Sequence, residues 1–379
     1  DDEMDTYRLE LTRTFEEGMV SRVNFGAYYS DRTKSKEDTG LYLQLPQYPS
    51  TLPVPEQYRV GTADLSFIGI PGMIAYDSFG FWRDGNYNEI DAADDDIQRS
   101  VNDWSVTEKV TIAYAMADLD IPVFGVDSTL NVGLQYVHTD QSSRGKAASF
   151  QTGEMVILPT YGGDKYSEVL PSVSWNINLT EDSILRLAAS KTMSRSRMDR
   201  MNAGGSFGFD QVANDAGEAP FTYSGGNPEL RPNMANQYDI SYEYYFRADG
   251  YVAVAAYYKD LDSWQLRQDQ AFDMTDYVDP SLLPEGVNST GGIATLWTES
   301  KGGEVTGYEI TAEVPFGVFA DALEGFGVIA SASFIDSKLD DPNGGEISVP
   351  GLSDQITNLT AYYERGGFEA RVSMRDRDD

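Results

Sequence analysis

Val169-Leu170-Pro171-Ser172-Val173-Ser174-Trp175-Asn176-Ile177-Asn178-Leu179 alternates apolar and polar side chains. Val169, Val173, Trp175, Ile177 and Leu179 fall on one face. Ser172, Ser174, Asn176 and Asn178 fall on the other. A period of two is the mark of a strand with one apolar side. Working outward, 238–246, 305–314 and 368–375 repeat the pattern with Tyr238, Ile240, Tyr242, Tyr244, Tyr308, Ile310, Phe368 and Val372 on the apolar face. Segments near 5–15, 19–30, 105–118, 125–139, 183–193, 250–262, 324–336 and 351–364 follow it less strictly, for about twelve strands. Helical spacing is nearly absent.

The connections alternate in length. Short ones fall at Glu16-Glu17-Gly18, around 120–124, at Thr180-Glu181-Asp182, at Arg247-Ala248-Asp249, near 317–323 and at Arg365-Gly366-Gly367. Long excursions fall at 31–104, 140–165, 194–237, 263–303 and 337–350. A soluble sandwich has no reason to gather its short turns at one end. A transmembrane barrel has, with short periplasmic turns and long extracellular loops. Tyrosines at strand ends, such as Tyr28, Tyr136, Tyr244, Tyr258 and Tyr362, suit a membrane interface. The polar faces carry Glu243, Glu309, Glu313, Glu369 and Arg371, acceptable around a wet lumen. The fold class is therefore all-β, an antiparallel transmembrane barrel.

Composition agrees. The 379 residues carry 28 Lys+Arg against 61 Asp+Glu, a net charge of −33, which argues against a nucleic-acid partner. There is no cysteine and one histidine, so disulfides, thiolate sites and multi-histidine zinc sites are ruled out. No run approaches the ~20 apolar residues of a membrane helix, and the mean hydropathy of −0.41 is compatible with a barrel whose strands alternate.

Residues 185–262 carry a further signal. Leu185-Arg186-Leu187-Ala188-Ala189-Ser190-Lys191-Thr192, Gly225-Gly226-Asn227-Pro228-Glu229-Leu230-Arg231-Pro232 followed by Asn236-Gln237-Tyr238-Asp239, Tyr257-Tyr258-Lys259-Asp260-Leu261, and Gly307-Tyr308-Glu309 resemble, in this order, motifs of TonB-dependent outer-membrane receptors. The closest resemblance is to the Xanthomonas and Caulobacter type; Asn233 stands where that pattern often has Glu. Gly226, Asn227, Pro228, Leu230 and Pro232 are expected to be structural, because the prolines break regular structure and glycine permits unusual backbone. The resemblance implies a bacterial outer-membrane barrel of about 22 strands around a plug. It also implies coupling to the TonB–ExbB–ExbD complex through that plug and a TonB box. Neither plug nor TonB box is visible in residues 1–379, so the chain is expected to be a partial barrel domain. Strands 5–15 and 367–377 should then form its two open edges.

The expected function is active uptake of a scarce nutrient, with an oligosaccharide ahead of an iron chelate (siderophore). Outer-membrane lipid and lipopolysaccharide are expected neighbours. A soluble carbohydrate-binding protein or glycoside-active enzyme and a passive porin remain as alternatives. No catalytic set can be assembled, and no cofactor or metal is expected. Asp94-Asp95-Asp96 reads as a charge run sooner than a calcium site. Ligand is expected at the long-loop end, on Trp82, Tyr87, Tyr223, Trp264 and Trp297, whose flat apolar faces lie among acids and amides. Arg195 and Arg197, in a locally basic stretch, are the candidates for an anionic group.

Overall fold

The computed structural model describes residues 1–49, 51–151, 154–247, 250–276, 283, 285–342 and 344–378. Its strands are β1 (Asp2–Thr14), β2 (Val20–Lys36), β3 (Leu41–Gln44), β4 (Arg59–Leu65), β5 (Ile70–Tyr76), β6 (Asn88–Asp91), β7 (Trp104–Asp120), β8 (Ser128–Gln151), β9 (Glu154–Thr180), β10 (Ser183–Ser194), β11 (Gly205–Phe209), β12 (Phe221–Gly225), β13 (Asn233–Arg247), β14 (Gly250–Asp273), β15 (Gly291–Pro315), β16 (Phe326–Asp340), β17 (Glu346–Ile347), β18 (Gln355–Arg365) and β19 (Phe368–Arg377). Helices are short: α1 (Ser78–Arg83), α2 (Ala92–Asp95), α3 (Ile97–Ser100) and α4 (Gln211–Ala216). The long strands pair antiparallel in the order β1-β2-β7-β8-β9-β10-β13-β14-β15-β16-β18-β19. Among the described residues no ladder joins β1 to β19, and β1 is exposed along its whole length. The expected turn at Ala248-Asp249, Asn343 in the 337–350 excursion and residues 277–282 and 284 lie outside the described residues.

The register shows why the sheet curls around water and faces lipid. Leu130, Trp175, Leu187, Ile240, Ala256, Tyr308 and Phe334 are successive cross-strand partners, so one apolar row crosses seven strands. Tyr308 and Ile240 are 59% and 48% exposed, which only a hydrocarbon surround accounts for over so large an area. One residue along, Asn176, Arg186, Ser241, Ala255, Glu309 and Ser333 form the matching inner row. There Arg186 donates to both Glu243 oxygens and to Asn176. Toward the long-loop end of the lipid face, Tyr7 stacks on Tyr29 and Tyr238 on Tyr258. Beyond the Tyr7–Tyr29 row, Asp31, Lys109, Asp140 and Lys165 are consecutive partners, with ion pairs of 3.5 and 2.7 Å, at the level where a membrane gives way to water. Val173 and Leu179 are exposed on this face as expected. Ile177 is 7% exposed, and the neighbouring Trp175 is half-buried, its indole donating to Ser128 Oγ at 3.0 Å.

Two of the expected loops are strands. The 140–165 and 263–303 excursions are the outer ends of β8–β9 and β14–β15, paired as far as Gln151–Glu154 and Asp273–Gly291. At roughly 3.3 Å per residue, the 24-residue β14 is about 80 Å long, well beyond the ~25 Å apolar band of a barrel. Outside lipid no apolar face is needed, so the alternation that marks the lower strands is lost there. The 194–237 excursion contributes β11 and β12, which pair with each other, with β8 on one side and with β15 on the other. β8, β9, β10, β13, β14, β15, β12 and β11 thus close a ring of hydrogen-bonded strands. The outer part of that ring packs on Ala147, Phe207, Phe221 and Met274.

Gly307 has a packing reason. A Cβ there would run into the Tyr257 ring, which lies across it on the lumen face, an aromatic covering the gap that a strand glycine leaves. Gly307→Ala is expected to destabilise the barrel by about 1–3 kcal/mol as overpacking, and Tyr257→Ala in the same background should recover part of the loss. Urea unfolding of the four variants of this cycle measures it; strict additivity would show that the two do not meet.

Candidate functional site

Five elements converge at the long-loop end. β11, β12, β15 and β14 lie side by side, and Ser206, Ser224, Thr295 and Asp269 form one cross-strand row. These side chains alternate with the ring core: Phe207, Phe221 and Phe272 point into it, and the hydroxyls point away. Facing the row is the start of α3. Together Asp96, Ile97, Gln98, Ser206, Gly208, Thr222, Tyr223, Ser224 and Thr295 line an open cleft of about 530 Å³. Ser224 accepts from Arg267 Nη2 at 2.7 Å, and Thr295 donates to Asp269 at 2.6 Å. A second hollow of about 390 Å³ near the short turns, lined by Glu313, Glu324, Tyr362 and Arg371, lies at the opposite end from the loops.

Asp96, the last acid of the Asp94–Asp96 run, is tied into the fold. Its carboxylate accepts Tyr42 OH at 2.6 Å and caps α3 through the N–H groups of Gln98 and Arg99. The Tyr42 hydrogen bond, with those backbone N–H groups, holds its pKa below the ordinary aspartate value against the opposing effect of burial. A folded pKa below the unfolded one stabilises above the unfolded value, near 4, and the gain is lost as pH falls through the folded pKa. The 37–103 segment is therefore expected to become more protease-sensitive between pH 6 and pH 3, and Asp96→Asn should flatten that dependence. An unchanged pH profile in the variant would remove Asp96 as its origin.

The aromatic candidates do not form one patch. Tyr223 lines the cleft edge, its ring 4.7 Å from Phe207 and its hydroxyl over Gly205. Trp297 lies two residues beyond Thr295 on the same side of β15. Trp264 alternates with the buried Gln265 and so takes the other face of β14. Tyr87 belongs to a separate aromatic knot with Tyr58 and Phe81, and Trp82 meets Phe79 edge to face and donates to Glu89 at 2.6 Å. Arg195 pairs with Glu108 at 3.0 Å, and Arg197 makes a two-pronged pair with Asp199.

The 225–232 segment ties the site down. Asn227 receives its neighbour Glu229 N–H in a local turn, donates its side chain to Trp297 O at 2.9 Å and its backbone N–H to Arg200 O at 2.8 Å. Gly226 is pressed against the backbone oxygens of Arg200 and Asn202, where a Cβ would collide. Gln141 of β8 donates to Pro228 O and Leu230 O, Ser263 to Pro232 O, and Arg231 reaches Asp164 of β9 at 2.7 Å. One irregular segment thereby bridges β8, β9, β14 and β15.

The profile of the family described as "TonB dependent receptor-like, beta-barrel" matches residues 1–379. The chain belongs to the TonB-dependent receptor β-barrel family. Barrels of this family sit in the bacterial outer membrane, which removes the soluble reading. Solved receptors share the fold. The siderophore receptor PiuA of Acinetobacter baumannii is 15% identical with a TM-score of 0.51, covering 96% of this chain and 44% of that one. The ferric-catecholate import receptor Fiu of E. coli K12 is 13% identical with a TM-score of 0.53, covering 100% and 45%. The ferric citrate transporter FecA is 11% identical with a TM-score of 0.53, covering 99% and 42%. This receptor barrel spans less than half the length of these three structures. No curated protein matches its sequence. The sequence signals single out Tyr223 and Trp297 but miss Ser206, Thr222, Ser224, Thr295, Arg267 and Asp269. The alternation Phe221-Thr222-Tyr223-Ser224 was the signal available, inside a stretch read as loop.

Proposed function

We infer that this barrel belongs to an active importer of the Xanthomonas/Caulobacter type. It captures an oligosaccharide at its outer mouth and releases it inward when the TonB–ExbB–ExbD complex acts through a plug domain. The observation that carries the reading is the row of hydroxyls across three strands, flanked by Tyr223 and by Asp96 and Asp269. Sugar rings offer hydroxyls in both donor and acceptor roles, and a flat wall of Ser, Thr and Asp meets them without burying a charge. A ferric chelate is the second reading, favoured by the siderophore, ferric-catecholate and ferric citrate specificities of the receptors that share the fold.

The triple variant Ser206→Ala, Ser224→Ala, Thr295→Val in the full-length receptor tests it. At about 1 kcal/mol per lost hydrogen bond, oligosaccharide binding on intact cells should weaken on the order of 100-fold. Normal surface expression with unaltered oligosaccharide binding would move the site elsewhere. Loss of ferric-chelate uptake alone would favour the second reading.

A further inference from the structure

At the inner end of the cleft two arginines flank Trp297. Arg200 lays its guanidinium over the indole at 3.7 Å, and Arg267 is the cross-strand partner of Trp297 on β14. Among the described residues neither has a carboxylate within ion-pair distance. The carboxylates nearest in register are engaged by other groups. Asp269, two residues from Arg267, accepts from Thr295; Glu299, two residues from Trp297, accepts the Arg231 N–H at 2.8 Å; Asp199 is held by Arg197. In a chain with 61 acids to 28 bases, two guanidiniums around one indole without an acid is an arrangement that needs a partner. Most of the neighbouring arginines, Arg195, Arg197 and Arg231, have one.

Both are fixed in place. Arg200 sits in the Met198–Met201 turn, whose backbone is pinned by Asn227 and Gly226, so its stacked plane is set before anything binds. Burial, with Arg197 beside it, pulls its pKa below the ordinary arginine value, yet arginine stays charged in proteins. Arg267 is exposed and held by Ser224, itself a cleft residue. A guanidinium stacked on an aromatic face keeps its N–H edge free, and that planar edge matches a carboxylate in a two-pronged pair.

We propose that Arg200 and Arg267 form an anion subsite at the foot of the hydroxyl-lined cleft, so that the ligand carries a carboxylate. Resting on the oligosaccharide reading, this makes the ligand class an acidic saccharide, one containing uronic acid residues. Its hydroxyls run along Ser206, Ser224 and Thr295, and its carboxylate turns toward Arg267 and Arg200. A hydroxycarboxylate iron chelate presents the same chemistry, and the experiment separates the two.

The full-length receptor in detergent is titrated with three uronate trisaccharides (galacturonate, mannuronate and guluronate), with their carboxyl-reduced counterparts, and with ferric citrate. At least one uronate is expected to bind ten-fold or more tighter than its reduced form. Arg267→Gln should abolish that preference, weakening the uronate ten-fold or more beyond any loss on its reduced form, and Arg267→Lys should restore part of it. Arg200→Gln should act alike, and the exposed Arg267 decides if that variant folds poorly. Equal binding of acid and reduced sugar by the unaltered receptor would overturn the subsite and leave the oligosaccharide reading standing. Binding of ferric citrate alone, sensitive to Arg267, would keep the subsite and overturn the saccharide. Binding of none of the seven ligands would overturn both.

Discussion

Val254→Arg is expected to destabilise the barrel by about 2–4 kcal/mol, whereas Ala255→Arg should cost less than ~1 kcal/mol. The two positions are adjacent on β14 and differ only in the face they present. Val254 is 44% exposed among Tyr242 and Ile310, its cross-strand partners on the apolar side. A guanidinium there must leave water for hydrocarbon or bend away to the interface. Ala255 lies between Ser241 and Glu309 on the inner side, where a guanidinium gains a carboxylate and stays wet. Urea titration of both variants in lipid vesicles measures the difference. Equal losses, or a greater loss at Ala255, would reverse the assignment of faces and with it the membrane reading of the sheet.

That contrast explains how much of the fold was legible. Inside the membrane the physics imposes alternation, because one face meets lipid and the other water, and β9, β13, β15 and β19 show it most strictly. The same holds for the short turns, where Gly18 and Gly366-Gly367 take the positive φ that tight reversals demand. Above the membrane that constraint ends. The upper halves of β8, β9, β14 and β15 have no lipid to face and pack inward on the 194–237 segment through polar side chains such as Gln141, Ser143 and Gln265 as well as apolar ones, so Gln268-Asp269-Gln270 and Ser142-Ser143-Arg144 carry no periodicity to read. Their composition of Ser, Gly and charge is that of a loop.

The site was less legible for a related reason. Its hydroxyl row is assembled from three separate stretches, 205–209, 221–225 and 291–297, and becomes a surface only through pairing across the chain. Sequence pointed to large aromatics because each is informative alone. Tyr87 packs in a local knot with Tyr58 and Phe81, Trp82 meets Phe79 edge to face, and Trp264 faces away from the cleft. The motif residues Gly226 to Pro232 were readable as a rigid return, since Pro and Gly act through their own backbone. What they anchor was not, because the partners Gln141, Ser263 and Trp297 are distant in the chain.

Leu230→Ala is expected to cost about 2–5 kcal/mol, and the cost should be local. Leu230 is 1% exposed and packs with Val106, Met198 and Met201, with Trp104 and Trp297 against them. Truncation leaves a cavity between β7 and the segment that crosses from β10 to β13. The barrel strands below keep their ladders, since none of them depends on Leu230. What loosens is the 195–232 segment, whose strand pairing with β8 and β15 is confined to two and four residue pairs of β11 and β12. Protease added outside intact cells should therefore cut within 195–232 in the variant, while the barrel keeps its resistance to unfolding on unheated gels. Leu230→Met conserves volume and should cost less than ~1.5 kcal/mol, leaving the segment protected. Because the Arg200–Trp297 stack rests on the same cluster, the alanine variant should also lose its preference for carboxylated ligand ahead of its binding of neutral sugar, which contacts the higher row. A Leu230→Ala receptor that stays uncut and keeps both affinities would show that the segment is held by its hydrogen bonds to Gln141 and Ser263 alone, with the apolar cluster contributing nothing to the mouth's geometry.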